Sequence, residues 1–234
     1  LTSGRRPLIV SCGSGAPFGS EWRRAGRATA SHSTLSIDGY SSSRLRAGDG
    51  REVLVDRADV SDLRQSQASG GRHWARVHDG WSETHGLSHG RALFLSKDGR
   101  KFAGFDTLAA WSPSERARFE QLLAGGKMEG VGFALRFHLH PDVDAALDMG
   151  GSAVSMALKR GEIWVFRHDG QAQLSLEPSV YLEKTRLKPR PTLQIVLSSR
   201  AIEQEARIGW TLAKAQDTPL AIRDTEREDL PSRP

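Results

Sequence analysis

The sequence predicts an all-β fold: an antiparallel, multi-stranded β-sandwich with at most one or two short helices. Three observations carry that prediction. Short alternating or apolar runs recur along almost the whole chain, as strands of a half-buried sheet do. Turn pairs separate them at Asp38-Gly39, Asp79-Gly80, Asp98-Gly99, Arg160-Gly161 and Asp169-Gly170. Asp-Gly suits the φ > 0 positions of tight hairpins, and hairpins join antiparallel neighbours, whereas parallel strands need long crossovers. Helical periodicity, finally, is scarce.

In chain order the runs predict strands at 7–12 (PLIVSC), 33–38 (STLSID), 52–57 (EVLVDR), 73–79 (HWARVHD), 91–96 (RALFLS) and 101–106 (KFAGFD). Further strands are expected at 131–140 (VGFALRFHLH), 152–160 (SAVSMALKR), 162–169 (EIWVFRHD), 173–178 (QLSLEP), 192–199 (TLQIVLSS) and 206–215 (ARIGWTLAKA). One helix is expected in SPSERARFEQLLAGG, with Ser114 as N-cap, Phe119, Leu122 and Leu123 on one face, and Gly125-Gly126 as the stop. The Gly-rich GSGAPFGS (13–20) precedes no Walker lysine and reads as a loop, as does the polar segment 61–71. From Asp217 the apolar pattern ends, so residues 1–216 are read as one domain and 217–234 as a flexible tail.

Composition bounds the function. A chain of 234 residues, 38% hydrophobic and 26% charged, can bury a full core. The 33 basic and 28 acidic side chains leave +5, which favours anionic partners. The charge is scattered rather than striped, and no nucleic-acid motif is present, so nucleic acid is not an expected partner. No run approaches the roughly 18 apolar residues of a membrane span. Cys12 is the single cysteine, so no intramolecular disulfide is possible. The opening LTSGRRPLIVSCG has neither an initiator Met nor a signal-peptide pattern and reads as starting inside or just after a strand, so a preceding N-terminal portion is expected.

Several residues could carry chemistry. On a strand, VGFALRFHLH would place Val131, Phe133, Leu135, Phe137 and Leu139 on one face and Arg136, His138 and His140 on the other. Two imidazoles at that spacing can reach one metal ion, with Arg136 ready for a carboxylate; the bland alternative is a solvated sheet face. His138, His140 and Asp144 also follow the spacing of a first cupin motif with Asp in place of Glu, but no second motif with a third ligand follows. His85 and His89 stand four apart, yet Gly86 and Gly90 argue against the helix that would align them. His73, His78 and His168 read as ordinary strand histidines, and the Asp-Gly of HDGW lacks the repeated oxygens of a calcium loop. No G-x-S-x-G elbow occurs, and Cys12 has no adjacent base.

The series RPLIVSCG, WRRAGRATASHSTLSIDG, HDGW with HGLSHGRALFLSKDGRKFAGFDTL, FALRFHLHPDV and LEPSVYLEKTRLKPRPTLQIVLS resembles the C-terminal β-rich domain of the heparinase II/III-like family, over residues 1–213. The resemblance implies a polysaccharide lyase for acidic glycans, with an N-terminal α/α toroid, absent from this sequence, forming the other wall of the cleft. It implies β-elimination: a base takes the proton α to a uronate carboxylate, a positive group neutralises that carboxylate, and an acid protonates the leaving oxygen. RATASHSTL matches the family's R-x-T-x-x-H-N/S-T-L segment. By that match His32 becomes a metal ligand or cleft histidine, the metal being zinc or calcium, and Arg27 a second substrate-binding residue. The earlier His and Asp usual in relatives would lie upstream of this sequence. Read from its surroundings alone, His32 is either held by the Ser31, Ser33 and Thr34 hydroxyls with a ring nitrogen left for an ion or sugar, or a hydrogen-bonded histidine that fixes the loop-to-strand corner, and one His without visible partners favours the second. Tyr40 and Tyr181, the only phenols, stand in no setting that marks an elimination acid. The resemblance also implies a place in the cell envelope or periplasm. Two alternatives remain beside the lyase: a noncatalytic module that binds acidic polysaccharide or supports a neighbouring domain, and a cupin-like metal enzyme.

Overall fold

The computed structural model describes residues 1–47, 52–126, 128–159, 161–186 and 188–216. Along the chain run β1 (Thr2–Ser3), β2 (Arg6–Pro7), β3 (Ile9–Val10), α1 (Ser20–Ala25), β4 (Leu35–Ile37), β5 (Arg44–Ala47), β6 (Glu52–Asp56), β7 (Val60–Ala68), β8 (Gly71–Trp81) and α2 (Ser82–His85). Then come β9 (Leu87–Ser96), β10 (Lys101–Ala109), α3 (Pro113–Gly125), β11 (Val131–Leu139), β12 (Val143–Asp148), β13 (Ala153–Leu158), β14 (Ile163–His168), β15 (Gln173–Tyr181), β16 (Arg190–Ala201) and β17 (Glu205–Gln216). Two antiparallel sheets face each other, as the sequence predicts. The large sheet has the order β12-β13-β14-β17-β10-β9-β8-β7, and the small one β15-β16-β11-β3, with β4 also paired to β11.

The core fills the space between them. Phe133, Leu135, Phe137 and Leu139 of β11 are buried, as the alternation predicts. The Phe137 ring meets Trp210 of β17 at 4.8 Å and Phe166 of β14 at 4.9 Å, so one side chain ties three strands of two sheets. Each such aromatic contributes about 1.5–3 kcal/mol by leaving water.

Where structure and sequence reading differ, the reasons are physical. Segment 61–71 is mostly strand, with only Ser69 and Gly70 in a turn: β7 pairs with β8 through its backbone although every side chain on β7 is exposed. Backbone pairing at a sheet edge needs no apolar pattern, so periodicity cannot reveal it. β12, likewise unexpected, pairs with β13 at the other edge. The α3 cap is Ser112, not Ser114: its hydroxyl accepts from the Glu115 amide at 3.1 Å while the Glu115 carboxylate accepts from the Ser112 amide at 2.8 Å, with Pro113 at the first helical position. The short helices α1 and α2 were not predicted, and Gly86, at φ 67°, ends α2 directly after His85. Gly99, at φ 68°, turns β9 into β10 as anticipated, but Asp79-Gly80 lies inside β8 at a register shift. A Cβ on Gly80 would stand 2.6 Å from the Ser42 carbonyl oxygen, so close approach rather than turning requires this glycine. The tail 217–234 lies outside the described residues.

Candidate functional site

The chain between β3 and β4 folds over β11. It passes a 3₁₀ turn at Ala16–Phe18, then α1, then a second 3₁₀ turn at Thr29–Ser31, and the Cys12 amide donates to the Ser31 carbonyl at 2.9 Å to close the base of this excursion. His32 ends the second turn in extended backbone, φ −119° and ψ 152°, which carries it into β4. Its ring is exposed, with Nδ1 3.2 Å from the Ser11 hydroxyl. Partial desolvation by the surrounding protein lowers its pKa below the ordinary 6.5, which favours the uncharged imidazole. Arg27, on the same excursion just after α1, is exposed too. The hydroxyl on His32 thus comes from Ser11, across 21 residues. Ser31 donates instead to the Ala25 carbonyl at 2.6 Å, and Ser33 to that of Val10, so these two fix the backbone of the corner.

The same excursion buries the second face of β11, which therefore is not solvated. His138 is 3% exposed and His140 8%. The His138 Nε2–H donates to the Ala30 carbonyl at 2.9 Å, leaving Nδ1 to accept from Ser179, 2.8 Å away, with the buried Cys12 sulfur at 3.5 Å. Both ring nitrogens are engaged. His140 accepts from the Asp142 amide at 3.2 Å and packs edge-on to Tyr181 at 5.0 Å. Arg136 donates to the Ser36 hydroxyl at 2.6 Å. Asp144, the third member of the cupin spacing, belongs to β12 of the other sheet and is exposed. That constellation is structural. Burial raises the Cys12 thiol above its ordinary pKa, so it is held as an unreactive thiol.

A buried polar chain that sequence reasoning missed runs through the large sheet. His78 and His89 are directly opposed on β8 and β9. The Gly80 amide donates to His78 Nδ1 at 3.2 Å; a neutral ring carries one proton, so His78 Nε2–H donates to His89 Nδ1 at 3.1 Å. His89 Nε2–H then donates to Asp106 at 2.7 Å. Arg91, at 2.7 Å, and the Trp210 indole, at 2.9 Å, complete the carboxylate's partners, and Arg91 also reaches the Ser33 carbonyl at 2.8 Å. Burial alone would raise the Asp106 pKa; Arg91 and His89 outweigh it and hold it at about 2. Desolvation, helped by His89 and Arg91, takes His78 down to about 4. Arg91 links this chain to Ser33, one residue from His32. His85, by contrast, sits on α2 with Thr84 at 2.8 Å and Tyr40 edge-on at 4.6 Å, so the 85/89 pair does not converge. The signal for the buried chain lay in the register between strands, which no single-strand pattern contains, and His89 falls before the predicted strand 91–96 because β9 begins already at Leu87.

No group of three His, Cys, Asp or Glu that could hold a metal ion forms among the described residues. The chain's described residues therefore do not by themselves fit a divalent ion at His32.

The sequence profile described as "Heparinase II/III-like, C-terminal" matches residues 1–211. The chain belongs to that family. Within this heparinase II/III-like C-terminal fold, a mutant of the heparan sulfate lyase HepC from Pedobacter heparinus is similar with a TM-score of 0.66 and 12% identity, over 92% of this chain and 29% of that one. A crystal structure of heparinase III is similar with a TM-score of 0.59 and 13% identity, over 89% and 28%. FtsZ-localized protein C of Caulobacter vibrioides (strain NA1000 / CB15N) is 32% identical over 215 residues, which are 89% of this chain and 35% of that protein. The chain thus spans about a third of each relative's length. No helix among the described residues is long and apolar enough to cross a membrane.

Proposed function

We propose that this chain forms the β-rich wall of a polysaccharide lyase that cleaves uronate-containing glycans by β-elimination, with the toroid as the other wall. The observation that carries the reading is His32: an exposed imidazole steadied by Ser11, in a domain of the heparinase II/III-like family. A neutral imidazole can take the proton α to the uronate carboxylate, and an exposed guanidinium such as that of Arg27 can neutralise the carboxylate. The acid for the leaving oxygen comes from elsewhere, because Tyr40 packs on His85 and Tyr181 on His140 rather than beside His32. A zinc or calcium ion on His32 would take the ring nitrogen that the base needs, so it is the alternative role of this residue and would require further ligands from the toroid. A place in the cell envelope or periplasm goes with it.

The test is catalytic. Residues 1–234 alone, incubated with heparan sulfate or polyuronates, yield no unsaturated uronate absorbance. Joined to their helix-rich N-terminal portion they yield it, and His32→Ala in that protein lowers kcat/KM by at least about a hundredfold, the scale of lost general acid–base catalysis. Product from 1–234 alone, or an unchanged His32→Ala rate, would falsify the proposal.

A second reading, favoured by the 32% identity to FtsZ-localized protein C, is a noncatalytic module of a protein that gathers with FtsZ. It requires that the joined protein release no product from any acidic glycan while a fluorescent fusion follows FtsZ.

A further inference from the structure

A groove of about 600 Å³ crosses the face of the large sheet that is turned away from the small one. Alternation puts it there. On β10, Asp106 is buried among the core strands, so Ala103 and Phe105 point outward. Register sets Ala92 and Phe94 of β9 on one side of them and Gly209 and Thr211 of β17 on the other. The floor is therefore almost free of side chains, and its walls are aromatic and cationic. Phe94 packs on His73 at 4.7 Å, while Phe105, 36% exposed, carries the Arg207 guanidinium 3.6 Å above its ring centroid. Arg167 of β14 lines the same groove, exposed, with Nη2 3.3 Å from the Met149 sulfur and Asp148 close enough to feel its charge.

Asp169 faces the groove as well, but its oxygens accept from the Gly209 amide at 2.5 Å and the Gln171 amide at 3.1 Å. Those of Asp148 accept from the Met149 amide and the Ser155 hydroxyl. Both carboxylates are thus turned onto the protein's own donors, whereas the two guanidinium groups stay available to an anion. β9, β10 and β17 are each paired on both sides, so no backbone amide is free for an extended peptide to extend the sheet.

We propose that this groove is a binding subsite for an acidic oligosaccharide, its pyranose faces on the aromatic walls and its carboxylate or sulfate on Arg207 and Arg167. Aromatic rings take the C–H faces of a sugar, and guanidinium groups pair in bidentate fashion with planar anions. The inference shares with the proposed function only the ligand class and needs neither His32 nor catalysis.

Calorimetric titration of residues 1–234 with a heparan sulfate octasaccharide, and separately with poly-glutamate of matched charge, tests it. Wild type is expected to prefer the saccharide. The double variant Arg167→Ala/Arg207→Ala is expected to bind at least about tenfold more weakly, as loss of charge-assisted hydrogen bonds dictates. Phe105→Ser should weaken binding similarly, whereas Lys159→Ala, a cation outside both the groove and the His32 surface, should leave this binding in place. Unfolding midpoints identify any variant that fails to fold, and Arg207→Gln, which keeps the side chain's bulk, then serves instead. Wild-type affinity in the groove variants, with loss in Arg27→Ala/His32→Ala, overturns the groove and leaves the lyase reading standing. Equal affinity for poly-glutamate overturns the sugar assignment in favour of a simple acidic-peptide surface. If wild type binds no saccharide at all, the groove proposal fails, while the catalytic test separately decides the lyase reading.

Discussion

Asp106 shows how much one buried carboxylate can organise. It is 1% exposed and joins His89, Arg91 and Trp210, residues on β9 and β17 that are far apart in sequence. Removing it leaves the Arg91 charge without its counter-ion in a partly buried setting, so Asp106→Ala is expected to cost about 3–5 kcal/mol in urea unfolding. His78 makes the same chain sensitive to pH. Its folded pKa of about 4 lies below the ordinary 6.5, so as pH falls the unfolded chain takes up the proton first. The stability from keeping this ring neutral is complete above about 6.5 and drains away between 6.5 and 4. Burial lowers His85, His138 and His140 as well, which adds slope of the same sign. Unfolding free energies measured across that interval should fall with acid, and His78→Gln should flatten the slope. A slope unchanged in the variant would remove His78 from the account.

At the scale of elements, α3 depends on its entry. The Ser112 hydroxyl and Glu115 carboxylate accept from each other's amides, and Pro113 has none to satisfy, at the start of a helix that buries only Phe119, Leu123 and the Glu115 side chain among its thirteen residues. With so small a packed face, the cap carries an unusual share of the stability, and Ser112→Ala should lower it by about 1 kcal/mol in chemical denaturation. A drop indistinguishable from zero would mean that packing alone holds α3. The capping box was present in the sequence as Ser-Pro-Ser-Glu, whereas Ser114 offers a hydroxyl alone, because Ala117 stands where its box would need Glu or Gln. Pro113 decides between them, because proline is preorganised for the first helical position and is far less suited to preceding a cap inside the helix. Strands with a buried face were legible for the same kind of local reason. β11 reads as a strand because Phe133, Leu135 and Phe137 alternate, whereas β7, exposed along its whole length, carries no such mark.

At the scale of the whole molecule, the two sheets and the excursion over β11 create two separate opportunities for a ligand. His32 and Arg27 stand on the excursion beside the small sheet; Arg207 and Phe105 stand on the outer face of the large one. The first is the proposed place of chemistry and the second a place of binding. The sequence by itself determined the sandwich, its strand alternation, the apolar face of β11 and the family segment around His32, because these depend on residues close together in the chain. Only the tertiary structure decided that Ser11 steadies His32, that both nitrogens of His138 are engaged inside, and that His78, His89 and Asp106 form one line. Those facts depend on register between strands and on which connection covers which face, and side-chain spacing along one strand holds no information about either.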